Sequence, residues 1–113
     1  MAETSKRAEP GEDRGGEWVE MSGKEYKIPP LNFKALREVQ GKVTQIGAIK
    51  GVPTPEQMDI VVDVVYMAMR RNYPDMKRET VEDILDVGNM MPVFAAVMRV
   101  AGFKALEEAA GKT

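Results

Sequence analysis

The sequence predicts a mainly α fold, a small helical domain of four or five helices preceded by an N-terminal β-hairpin. Three observations predict it. Apolar residues recur at spacings of three and four over most of the chain after Asn32. Helix-start chemistry stands at Asn32, Thr54 and around Thr80. A single period-two stretch, centred on Ser22-Gly23, comes before all of it. With 113 residues there is enough chain for one core and not for two.

Residues 1–16 carry Lys6, Arg7 and Arg14 against Glu3, Glu9, Glu12 and Asp13, with Pro10, Gly11, Gly15 and Gly16 between them. After Met1 nothing in this segment is larger and apolar than Ala, so burial offers little to offset its ordering entropy; the expectation is a disordered charged tail, with the domain proper spanning 17–113. The segment also lacks the apolar run of a signal peptide, and no later run approaches membrane-spanning length.

From 17 to 28, Val19 and Met21 alternate with Trp18 and Glu20, while Tyr26 and Ile28 alternate with Glu25 and Lys27. With Ser22-Gly23 between the two runs, this is a β-hairpin. Pro29-Pro30 ends its second strand, since neither can donate to a ladder. Asn32 then caps a helix from Phe33, with Phe33, Leu36, Val39, Val43 and Ile46 as its apolar face. Gly41 and Gly47 mark where that helix bends or stops.

Thr54-Pro55-Glu56-Gln57 combines an N-cap, a first-turn proline and a capping box from Thr54 to Gln57. The helix it opens runs to about Asn72. Its polar stripe of Glu56, Asp59, Asp63, Tyr66 and Arg70 is narrow, so either the helix is central or part of its face is covered by another molecule. Tyr73-Pro74-Asp75 breaks it. A short helix follows from Glu79 and Thr80, capped by Thr80 and Asp83, with Val81, Ile84, Leu85 and Val87 inward and Gly88 as its left-handed terminator. Asn89 caps the last helix, on which Val93, Phe94, Val97, Met98, Val100 and Ala101 pack. Tyr73 and Phe94 are assigned to packing that joins the helices to the hairpin strands.

Composition excludes more chemistry than it offers. Without Cys or His there is no thiol, disulfide or imidazole chemistry and no ordinary zinc or haem ligand set, so no metal, no cofactor and no catalytic residue is expected. The net charge of −2 with interspersed signs gives no broad basic face, which argues against nucleic acid as the main partner. Carboxylates on two helices, Glu56, Asp59 and Asp63, and Glu79, Glu82, Asp83 and Asp86, read as solvated faces. Arg70 and Arg71 suit the C-terminal end of a helix dipole.

Methionine is the compositional oddity, nine residues against three Phe, three Tyr and one Trp. Met fills core gaps, and it also serves surfaces that accept varied apolar helices. As a group, Met58, Met67, Met69, Met90, Met91 and Met98 are the candidate partner-binding set, with Met90 and Met91 the leading pair.

The order of residues adds a likeness. Arg71-Asn72-Tyr73-Pro74-Asp75, Leu85-Asp86-Val87-Gly88-Asn89 and Val93-Phe94-Ala95-Ala96-Val97, together with Pro29-Pro30-Leu31 ahead of Leu36-Arg37, resemble the tail assembly chaperones of long-tailed bacteriophages. Within that likeness Tyr73, Pro74, Gly88, Asn89 and Phe94 are the structural motif residues. The resemblance implies a non-enzymatic protein of the host cytoplasm, absent from the mature virion. It would hold the tape measure protein soluble, recruit tail tube protein and self-associate. It also implies a frameshifted longer form, which Ala110-Gly111-Lys112 permits through a slippery GCG-GGA-AAG reading. The competing functions are a minor tail structural subunit, such as a tube or terminator component, and a small nucleic-acid-binding regulator.

Overall fold

The structure is a computed structural model, and it describes residues 6–42 and 51–100. Strands β1 (Lys6–Arg7), β2 (Glu17–Met21) and β3 (Lys24–Ile28) form one sheet in the order β1-β3-β2, with β1 parallel and β2 antiparallel to β3. Helices α1 (Phe33–Gln40), α2 (Pro55–Met69), α3 (Arg78–Ile84) and α4 (Met90–Val100) follow. The domain is therefore mixed, with four described helices and a three-stranded sheet, and the expected hairpin is two-thirds of that sheet.

The hairpin has the register its alternation requires. Val19 faces Tyr26 across the pair and Met21 faces Lys24. Met21, Tyr26 and Ile28 are buried while Glu20 and Lys24 are exposed. Ser22 and Gly23 both take positive φ, 53° and 79°, as in the mirror-image turns whose twist matches a two-residue hairpin. The Ser22 hydroxyl donates to the Ile84 carbonyl at 3.1 Å, which fixes the turn to the end of α3.

Helix α2 is the central element. It packs on α1, α3, α4 and β3, and Val64, Val65, Ala68 and Met69 have no exposed surface. Burying a side chain of the Val or Met class contributes about 1.5–3 kcal/mol, so this stripe anchors the core. The width of its apolar arc thus reflects centrality along most of its length. Helix α4 closes the other side, packing on α2, β2 and β3 through Val93, Phe94 and Val97. Arg99 at its end forms a bidentate pair with Glu17 on β2.

Several expectations change. The tail expected to be disordered is an ordered arm over residues 6–16. Its order comes from polar contacts that composition does not reveal. Beyond β1, the Ala8 N–H donates to the Glu25 carbonyl at 2.8 Å, the Tyr73 hydroxyl donates to the Ala8 carbonyl at 2.8 Å, and the Glu12 N–H donates to the Asn72 carbonyl at 3.0 Å. Phe33 belongs to the expected apolar face of α1, yet it is 83% exposed, and Ala35 and Val39 are the buried pair. Helix α1 stops at Gln40 before Gly41; Val43 and Ile46 lie outside the described residues, as do Ala101 and everything after it.

The cap positions shift too. Asn32 and Thr54 cap as expected, the latter with its full reciprocal box. Helix α3, however, starts after Lys77 with no side-chain cap, and ends at an extended Leu85 rather than at a left-handed Gly88. Before α4 the reciprocal pair is Asp86 with Asn89. The Asn89 N–H donates to Asp86 Oδ1, and the Asp86 N–H donates to Asn89 Oδ1, both at 2.8 Å. The N-capping oxygen therefore belongs to Asp86, three residues before the expected Asn89, which also donates from Nδ2 to the Ile84 carbonyl.

Candidate functional site

Two features stand out, an apolar groove on the helical side and the polar seam that docks the arm. The groove lies between the first turns of α2 and the connection from α3 to α4. Pro53, Met58 and Val62 form one wall, Leu85 and Val87 the other, and Met90 lies between them, enclosing about 400 Å³. It stays open because Thr54 and Pro55 start α2 sharply, while Asp86 and Asn89 hold the opposite connection in a tight turn. Met58 is 43% and Val87 56% exposed at its lips.

The lining also contains Asp59, Glu82 and Asp86, and no Lys or Arg. Beside it, Arg78 is shared among three carboxylates: Nε to Asp63 at 2.8 Å, Nη1 to Glu82 at 2.6 Å and Nη2 to Asp59 at 3.4 Å. The hydrogen bond to Asp63 is the main cause that raises the Arg78 pKa, so the guanidinium stays charged. Lys42, two residues past the end of α1, reaches Asp63 at 3.7 Å. These pairs are partly exposed and individually contribute little; their effect is to orient Asp59 and Glu82 on either side of the groove.

The six methionines do not form one surface. Met58 lies at the lip and Met90 in the groove, but Met90 is only 7% exposed and belongs to the core. Met69 is completely buried in α2, where it cannot meet a partner. Met67 and Met98 are partly buried and packed against the core, and Met91 is exposed without lining the groove. The leading pair of Met90 and Met91 is thereby divided: Met90 faces inward, and Met91, about 100° further round the helix, faces out. Val87, expected inside, is at the surface. The groove residues that sequence reasoning passed over, Pro53, Asp59, Glu82 and Asp86, carry no local signal that they converge.

The seam is built on Asn72 and Tyr73. Strand β1 ends before it reaches Lys27, and these two side chains take over the ladder there. The Lys27 N–H donates to the Tyr73 hydroxyl at 2.8 Å, and Asn72 Nδ2 donates to the Lys27 carbonyl at 3.0 Å. Asn72 also accepts from the Arg14 N–H at 2.7 Å and donates to the Gly15 carbonyl at 3.2 Å. Tyr73 meets Tyr26 edge to face at 5.7 Å. Burial raises the pKa of both phenols, which keeps the Tyr73 hydroxyl available as a donor. Pro74 is exposed beside the arm, with its Cδ 3.3 Å from where a Cβ on Gly11 would stand. Tyr73 thus ties the end of α2 to the sheet, and Phe94 is buried in the core. The seam has a structural task and offers no reactive group.

No helix among the described residues is long and apolar enough to cross a membrane. Comparison of the chain with protein-family models, with curated proteins and with solved structures gives no match.

Proposed function

We propose that this chain is a tail assembly chaperone of a long-tailed bacteriophage. It binds the tape measure protein in the host cytoplasm, keeps it from aggregating, recruits tail tube protein to it, and leaves before the virion is complete. Self-association of the chaperone along the client belongs to the same proposal. The observation that carries it is the open groove of Met58, Val62, Leu85 and Val87, on a chain whose flanking residue strings resemble that family. A trough between helices accepts an apolar helix face at successive turns, and a tape measure protein is a long helical chain of that kind.

The test is co-expression of the phage's tape measure protein with and without this chain. The expected outcome is a large rise in tape measure protein recovered in the supernatant, with the two co-purifying. Mass spectrometry of purified virions should then find no copy of this chain; its recovery there at stoichiometric level would make it a tail structural subunit instead. Met58→Asp is the surface variant expected to reduce co-purification while helix content stays intact. A charge at buried Met90 would test folding rather than binding.

A further inference from the structure

We infer that the groove selects a basic amphipathic helix: aliphatic anchors enter between Met58 and Val87, and Lys or Arg side chains on the same helix meet Asp59, Glu82 and Asp86 at the rim. This rests on the chaperone reading for the identity of the client, and adds the chemistry of the segment that is bound.

The lining is apolar with three carboxylates and no cation. Arg78 engages Asp59 and Glu82 from outside the groove, while Asp86 has no cationic partner among the described residues and only caps α4 through its contact with Asn89. Part of this acidity follows from helix starts, where carboxylates are favoured. Glu82 lies near the C-terminal end of α3, where the dipole disfavours an anion, and is held there by its pair with Arg78 one turn earlier. With Asp59, Asp63 and Glu82 sharing the Arg78 guanidinium and Asp86 without a cation among the described residues, the rim keeps a net negative charge that is electrostatically complementary to an incoming cation.

The geometry also selects the secondary structure of the occupant. One wall is helix α2, whose backbone groups bond internally, so an extended segment would find few main-chain partners along it. An open trough likewise covers too little of a small molecule to hold it as an enclosed pocket does. A helix needs neither condition, because it brings its own satisfied backbone and inserts side chains at every turn.

The experiment is fluorescence anisotropy of the full chain with two synthetic helical peptides of identical leucine face, one with Lys and one with Glu at the polar positions. The Lys peptide is expected to bind about tenfold more tightly, with the difference closing as salt is raised. Asp59→Asn with Glu82→Gln and Asp86→Ser removes the three charges while leaving acceptors for Arg78 and a capping oxygen for Asn89; this variant should lose the preference. Met58→Ser with Val87→Ser, both at exposed positions, should weaken both peptides.

Equal binding of the two peptides, or binding that the Met58 and Val87 changes leave untouched, overturns the inference. So does a self-association lost in those same variants without any peptide binding, which would give the groove to a second copy. If the charge-neutral variant still solubilises tape measure protein as well as the parent, the chaperone reading stands and this inference falls. If the basic peptide is selected but tape measure protein is not solubilised, the inference stands and the chaperone reading falls.

Discussion

Asn72 has no exposed surface, yet both polar atoms of its side chain are bonded, to Arg14, Gly15 and Lys27. Removing one side chain therefore strands several groups at once, and a buried polar group left unpaired costs about 1–3 kcal/mol. Asn72→Ala is expected to destabilise by about 3 kcal/mol in urea unfolding. Tyr73→Phe, which loses one hydroxyl that both accepts from Lys27 and donates to Ala8, should cost about half as much. Hydrogen exchange should localise both effects to the arm amides. Asp13 adds a pH dependence. Its carboxylate accepts from the Gly15 N–H, the larger cause of its lowered pKa, and pairs with Lys27 at 3.0 Å. A carboxyl whose pKa is lower in the folded state contributes fully above its unfolded value and loses that contribution as pH falls through the folded one. Arm amides should therefore exchange faster, relative to intrinsic rates, as pH drops below the usual carboxylate range, and Asp13→Asn should flatten that dependence.

At the scale of elements, the boundaries were legible where their chemistry is local. Asn32 bonds the Ala35 N–H and Thr54 reciprocates with Gln57, each three residues on, so a reading of neighbours finds both. Lys77 caps α3 with no side-chain bond, and Thr80 was the more conspicuous residue nearby. The arm was illegible for the opposite reason: Arg14 meets Asn72 across 58 positions of sequence, and no composition rule reports such a partner. Phe33 fits the helical period of α1 and still faces water, because periodicity selects a face without saying what lies opposite it. The groove was half legible, since Met58 and Met90 were marked by type, but the convergence of Val87 and Glu82 on them is tertiary. The junction of arm and sheet gives a sharp test. A Cβ on Gly16 would stand 1.8 Å from the Ile28 carbonyl oxygen, at φ +116°, whereas one on Gly15, at φ +85°, meets nothing within 4 Å. Gly15→Ala should cost about 1 kcal/mol from the left-handed backbone alone. Gly16→Ala should cost several times more or prevent the arm from docking, and thermal denaturation of the two variants side by side checks the contrast.

Across the whole molecule, β3 is the strand between two neighbours, and each of its sides is served differently. On one side β2 pairs along its full length; on the other, two residues of β1 hand over to the side chains of Asn72 and Tyr73. Asn72 and Tyr73 thus tie the N-terminal arm to the sheet, while the groove lies on the helical side. The groove and the seam that docks the arm are in this way kept to separate places. The arm also has a protective consequence. A sheet flank with free N–H and C=O groups is a template for another chain's strand, and proteins that leave one bare tend to stick edge to edge. By lying along β3 the arm shields that flank with the chain's own backbone, so the Asn72 and Tyr73 variants are the ones in which unwanted strand addition between copies should begin.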